Sequence, residues 1–209
     1  MTQTQKKTHR LAVAAMLTAV AAVLQFVEFA IPLMPSFIKL DISDLPALLG
    51  TFSLGPVYGV AIQLAKNLLH LPFGSSAGVG ELSNFILGAV FVFVAGIIYK
   101  HNKSRKSALV GSVAGAAAMA LVSIVTNYFI VYPAYVVLYK LPLEAIVGMY
   151  EAILGGVSHV PTQNALLNCL LVFNVPFTLV KGLLDTALCF LIYKPLSPLL
   201  HRFFHRSHR

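Results

Sequence analysis

Charge is what this 209-residue sequence has least of. Only 11% of its residues are Asp, Glu, Lys or Arg, and only seven of those are acidic. A soluble domain carries about 25% charged residues, so this chain lacks the charge to cover a water-facing surface. Tryptophan is absent, and the two cysteines, Cys169 and Cys189, both sit in apolar surroundings. Two buried thiols are expected rather than a disulfide framework. No CxxC, HExxH or clustered His/Cys pattern occurs, so no metal site is implied. The seven histidines lie mostly near the ends, as His9, His201, His205 and His208. The glycine run 74–80 is not followed by Gly-Lys-Ser/Thr, so it is no phosphate loop and the chain needs another source of any ATP hydrolysis. No nucleophilic Ser with a matching His and no paired catalytic acids support an intramembrane enzyme.

What the sequence has in abundance is apolar side chain: 58% hydrophobic residues and a mean hydropathy of +0.82. A soluble enzyme and a disordered tail are excluded by this balance. The net charge of +8 would suit a nucleic-acid partner, so the positions of the charges must decide. A membrane span takes roughly 20 residues, which leaves room for about six to eight.

Residues 11–31 are apolar apart from Gln25, Glu28 and one Thr, with Lys6, Lys7 and Arg10 ahead of them. Ala19-Val-Ala21 resembles a signal cleavage site. The run is longer than a signal core and the rest of the chain is equally apolar, so a retained first helix is expected. The stretch 45–73 contains Gly55-Pro56, a pair that breaks helices. Further spans read as 82–99, 108–139 and 174–196, with 142–173 mixed.

Cytoplasmic loops carry an excess of Lys and Arg. Eleven of the 15 basic residues fall in three segments without Asp or Glu. They are Lys6, Lys7 and Arg10; Lys100, Lys103, Arg105 and Lys106; and Lys194, Arg202, Arg206 and Arg209. If all three face the cytoplasm, an even number of crossings separates each pair. The expectation is a single all-α membrane domain over 1–209. Its six transmembrane helices fall at 11–31, 43–54, 56–72, 82–100, 108–136 and 174–196, and both termini are cytoplasmic. The second helix is too short to span alone and is expected to be shielded by neighbours. The linkers 32–44, 73–81 and 140–173 then share the outer face, with an ordered loop between helices one and two.

Polar residues at membrane depth are costly and default to functional candidates. Asp41 and Asp44 lie in Lys39-Leu-Asp-Ile-Ser-Asp-Leu-Pro46, where Ser43 or Asp44 suits a helix cap. Lys66-Asn67 end helix three, and Glu81 and Asn84 open helix four. Asn127 offers both donor and acceptor to an amide or imide edge. Thr178, Lys181 and Asp185 share one face of helix six, where an internal Lys181–Asp185 pair competes with ligand contact. Ala15 with Ala19, and Gly111 with Gly115, form small-xxx-small pairs that let helices approach closely.

Taken together and in order, six elements resemble one family. They are Lys39-Leu-Asp-Ile-Ser-Asp-Leu-Pro-Ala47, Leu54-Gly-Pro-Val-Tyr-Gly59, Lys66-Asn-Leu-Leu69, Gly78-Val-Gly80 with Asn84-Phe85, Asn127-Tyr-Phe129, and Pro176-Phe-Thr-Leu-Val-Lys-Gly182. The chain resembles the riboflavin-specific S component of energy-coupling-factor (ECF) vitamin transporters, over about residues 10–196. The resemblance implies a six-helix substrate-binding subunit of the bacterial cell membrane, not an enzyme and without a cofactor of its own. Riboflavin would be the transported substrate. One transmembrane coupling protein and two ATPase subunits would be its partners and would spend the ATP. By position, Asn127 and Lys181 match flavin-bonding residues, and Thr178 stands where an Asn is often found. Asp44, Leu40, Lys66 and Asn84 are further substrate-contact candidates. Ala15 and Ala19 match the docking motif of helix one. The alternatives are an S component for another flavin or vitamin, and a self-sufficient ion-coupled permease using Glu28, Lys181 and Asp185.

Overall fold

The computed structural model describes residues 2–32, 34–35, 38–74, 76–140, 142–153 and 164–205, with side chains to residue 192 apart from that of residue 139. Lys194 and Arg202 are therefore described in backbone only. Arg206, Arg209 and part of the mixed segment, 154–163, lie outside the described residues.

Helix α1 (Gln3–Gln25) opens with a capping box: the Thr2 hydroxyl accepts from the Gln5 N–H and the Gln5 side chain accepts from the Thr2 N–H. It begins before residue 11 and ends before residue 31, the bounds expected from hydropathy. Phe29–Ala30 (β1) leave the helix to pair antiparallel with Lys39–Leu40 (β2), in register Phe29 to Leu40. Pro32 disfavours helical geometry at Ile31, and the ladder satisfies the backbone instead. The Lys39 ammonium pairs with Glu28 across this small hairpin.

Helix α2 (Asp44–Leu54) is buried along its first eight residues, Asp44 to Thr51. At 11 residues it is about 16 Å long, and it packs against α1 and against the helical segments Pro56–His70, Val79–His101 and Val175–His205. Gly55 adopts φ 111° and Pro56 takes the first turn of α3 (Pro56–His70), so the chain reverses at the Gly-Pro pair as expected. Helix α4 (Val79–His101) returns alongside α3.

Helix α5 comprises Arg105–Thr126, a π turn at Asn127–Val131 and a last segment Tyr132–Tyr139. A short helix α6 (Leu143–Ile153) follows, which the hydropathy did not resolve. Helix α7 comprises Ala165–Cys169, a second π turn at Leu170–Asn174 and Val175–His205. It starts well before residue 174. Each π turn is followed at the second residue by a proline, Pro133 and Pro176. A proline inside a helix lacks its N–H donor and crowds the carbonyl four residues back. Widening the preceding turn to i→i+5 bonding accommodates it, as the bonds Tyr132 N–H to Asn127 O and Val175 N–H to Leu170 O show.

Apart from α6, the helices alternate in direction. His70 meets Glu81 at one end of α3 and α4, whereas Phe52, at the end of α2 that leads into α3, meets Tyr99 of α4 edge-to-face at the other. The main core gathers Leu48, Phe91, Ala95, Ala116, Met119 and Cys189 around α2. A second core of Tyr132, Ile146, Tyr150 and Leu170 joins α5, α6 and α7 at the π turns. Gly111 and Gly115 let α5 lie directly on α4. A methyl group at Gly115 would stand 2.5 Å from the Phe91 carbonyl oxygen.

Among the described residues, four helices are long and apolar enough to cross a membrane: Gln3–Gln25, Val79–His101, Arg105–Leu138 and Ala165–Ile192. Helices α2 and α3, about 16 and 22 Å long, fall short of the roughly 30 Å hydrocarbon core. The six expected helices are therefore present with shifted ends, and four of them are of spanning length.

Candidate functional site

A cavity of about 270 Å³ opens at the hairpin end of the bundle. Its walls come from the α1–α2 hairpin, the α3–α4 loop, the start of α4, and the regions of α5 and α7 around the π turns. Five of the seven proposed substrate contacts border it: Asp44, Asn84, Asn127, Thr178 and Lys181. The other two do not. Leu40 stands half-buried in β2, and Lys66 is wholly buried beneath the floor.

The floor is a network of ions. Lys181 Nζ donates to Asp41 Oδ2 at 2.8 Å and to Asn84 Oδ1 at 3.2 Å, and lies 3.4 Å from Asp44 Oδ2. Lys66 Nζ donates to Asp44 Oδ1 and to Ser43 Oγ, both at 2.5 Å, and Gln63 Nε2 donates to Asp44 Oδ1 at 2.8 Å. A buried charge is tolerated only when paired and hydrogen-bonded. Two lysines and two aspartates meet that condition here. Burial alone would raise the Asp41 carboxyl, but the Lys181 and Lys66 ammoniums outweigh it and hold the group below its ordinary value.

Two local expectations are corrected by this network. Neither Ser43 nor Asp44 caps α2 through its side chain. The Ser43 N–H and hydroxyl both bond Asp41 Oδ1, closing an Asx-type turn, while Asp44 points into the ion network. Lys181 is spent on the α1–α2 loop rather than on Asp185. Both oxygens of the wholly buried Asp185 are without a hydrogen-bond partner among the described residues.

Around the rim, His70 Nδ1 lies 2.9 Å from Glu81 Oε1, and the Ser76 hydroxyl donates to Glu81 Oε2 at 2.9 Å. Phe26 stacks on His70 and edge-on to Phe73. Tyr132, Tyr135, Phe177, Leu87 and Met119 give the cavity its flat and apolar surfaces. Far from it, Ala15 and Ala19 lie exposed on α1 beside exposed Met16, Val20 and Val23.

A polar pocket floored by ions and roofed by a hairpin, in a bundle of apolar helices, is the geometry of a solute-binding subunit rather than of a catalyst. Sequence comparison agrees. The family described as "ECF transporter, substrate-specific component" matches residues 9–193. The chain belongs to that family. It is 34% identical over 197 residues to the riboflavin transporter RibU of Staphylococcus aureus (strain TCH60), covering 94% of this chain and 95% of that one. It is 31% identical to the riboflavin transporter FmnP of Bacillus subtilis (strain 168), covering 92% and 94%. A solved structure, "Structure and mechanism of the S component of a bacterial ECF transporter", superposes with a TM-score of 0.71 at 34% identity, covering 93% of this chain and 98% of that chain.

Several wall residues of this S component escaped the sequence argument. Asp41 was visible but had no assigned partner, and its lysine is 140 positions away. His70 and Ser76 carry no motif of their own. Asn174 is the first residue of the expected sixth span, at the boundary with the mixed segment. Its signal is that of Asn127, a lone amide in an apolar run.

Proposed function

We propose that this S component captures riboflavin in the cavity from the outer face of the bacterial cell membrane. An ECF module of one transmembrane coupling protein and two ATPases then drives its delivery to the cytoplasm. The observation that carries this reading is similarity to riboflavin transporters over nearly the whole chain, combined with a cavity whose chemistry suits a flavin. The isoalloxazine is a large, flat, mostly apolar body with one imide edge. The pocket supplies Tyr, Phe, Leu and Met surfaces together with the amides of Asn84, Asn127 and Asn174. Lys181 would act as a donor at the floor and Thr178 as a smaller polar contact. Lys66 would act indirectly, by fixing Asp44.

The proposed topology counts α2 and α3 as two crossings that turn at Gly55-Pro56 on the inner side, with short α2 shielded by its neighbours, giving six crossings in all. The clusters at Lys6–Arg10, Lys100–Lys106 and the C-terminal end would then face the cytoplasm. Purification of the protein alone from flavin-containing medium tests the reading. A yellow preparation that quenches added riboflavin fluorescence is expected. A colourless protein that leaves the fluorescence unchanged would overturn it. Uptake that persists in cells without an ECF module would replace this mechanism with a self-sufficient permease.

A further inference from the structure

A histidine on the cavity wall is held at one nitrogen and left open at the other. His70 closes α3, is 7% exposed and borders the cavity. Its Nδ1 lies 2.9 Å from Glu81 Oε1, and its ring packs on that of Phe26 with centroids 4.9 Å apart. Glu81 is fixed in turn. The Ser76 hydroxyl donates to Glu81 Oε2 at 2.9 Å while accepting from the Gly80 N–H at 2.9 Å. Gly74 leaves room for the carboxylate, since a methyl group there would stand 1.8 Å from Glu81 Oε1. His70 Nε2 makes no hydrogen bond among the described residues, yet it is not sealed off from solvent.

The bond at one ring nitrogen decides what the other can do. A carboxylate only accepts, so Nδ1 carries a proton. Nε2 then accepts when the ring is neutral and donates when it is charged. A carbonyl oxygen only accepts and an amide N–H only donates, so each matches one of those states alone. A hydroxyl both donates and accepts, and it bonds Nε2 in either state. The surroundings point the same way. Tyr132, Tyr135 and Phe177, flat surfaces that suit a heterocycle, belong to α5 and α7. His70, Ser76 and Glu81 belong to the end of α3, the start of α4 and the loop between them, and α3 packs on α1, α2 and α4. A ligand with a planar ring at one end and a hydroxylated chain at the other spans both walls.

We propose that His70 is a specificity-determining residue whose Nε2 hydrogen-bonds a hydroxyl of the ligand's polyol chain. Glu81 is a positioning residue that acts through His70. The inference rests on the flavin reading, in which the ribityl chain supplies the hydroxyl.

The test compares riboflavin with lumiflavin, which carries a methyl group in place of the ribityl chain, by fluorescence titration of the purified protein. The wild type should bind lumiflavin at least about tenfold more weakly. His70→Asn can keep a donor to Glu81 at the place of Nδ1 but has no atom at the place of Nε2. It should weaken riboflavin by about tenfold and leave lumiflavin unchanged, so the ratio of the two affinities falls by about tenfold. His70→Phe, which keeps a ring against Phe26, should give the same fall and is decisive if His70→Asn does not fold. A merely structural role would weaken both ligands alike and leave the ratio at its wild-type value, which would overturn the proposal. Glu81→Ala, which frees the imidazole, should lower the ratio by less, and an unchanged ratio there would overturn its positioning role. A wild type that binds both compounds equally would overturn the whole proposal. A wild type that does not bind riboflavin would instead bring down the flavin reading on which it stands.

Discussion

Lys181 Nζ lies 2.8 Å from Asp41 Oδ2 and ties α7 to the loop that enters α2. Both groups are nearly buried, so each is the other's main compensation for lost water. Removing one partner leaves an uncompensated charge, at a cost of about 3–5 kcal/mol. Lys181→Met should therefore lower the thermal midpoint sharply and weaken riboflavin binding. Asp41→Asn combined with Lys181→Met should be less damaging than the sum of the two changes. A double-mutant cycle on thermal midpoints checks this, and strict additivity would refute the coupling.

The same pair has a defined pH signature. Because the folded Asp41 carboxyl is held below its ordinary value, its contribution is complete above the unfolded carboxylate range. It is lost only as pH falls through the depressed folded value. The stability difference between wild type and Asp41→Asn should thus be flat at neutral pH and shrink only under acid conditions, below about pH 4. Denaturation of both proteins across a pH series measures this. A difference that changes around neutrality would point to another group.

Asn127 borders the cavity, is 7% exposed, and makes no side-chain hydrogen bond among the described residues. An amide that does not serve the fold is available to a ligand. Asn127→Leu should leave the ligand-free thermal midpoint nearly unchanged and weaken riboflavin binding by about tenfold, one well-made hydrogen bond in a buried site. Fluorescence titration paired with thermal denaturation separates the two effects. A fall in the midpoint with unchanged affinity would assign Asn127 to packing.

Glu81 fastens the α3–α4 loop by accepting from Ser76 while contacting His70. Glu81→Ala would leave buried His70 and half-buried Ser76 without it, at about 1–3 kcal/mol. Hydrogen exchange at residues 74–80 should accelerate selectively, with α4 beyond residue 90 protected as before. Uniform acceleration throughout α4 would mean that Glu81 supports the whole helix rather than the loop.

The sequence disclosed those features that depend on composition and on local breaks. Gly55-Pro56 separates α2 from α3 because the glycine's positive φ ends one helix and the proline's missing donor suits the first turn of the next. Asn84, Asn127, Thr178 and Lys181 were visible because a polar side chain in an apolar run has few structural excuses. The ends of α1 and α7 were not visible. Residues 26–31 are as apolar as a helix, but Phe29–Ala30 among them pair with Lys39–Leu40. Pro176 reads as a helix start, but a π turn carries the helix through it. The ion floor and the His70–Glu81 pair were hidden for a common reason: their partners meet only in three dimensions, 11 to 140 positions apart.

Ala15 and Ala19 separate binding from transport. Both are exposed on α1, on a face whose neighbours Met16, Val20 and Val23 are also exposed, and neither borders the cavity. Two small residues four apart allow another helix to approach closely in lipid. A bulky side chain there would hold a partner helix off without disturbing the interior. Ala15→Trp and Ala19→Trp should therefore leave riboflavin affinity and thermal midpoint at wild-type values, while reducing uptake in cells that carry an ECF module by about tenfold or more. Riboflavin titration of the purified variants, alongside radiolabelled uptake, measures both. Wild-type uptake in both variants would remove this face as the docking surface, and lost affinity would show that α1 shapes the cavity after all.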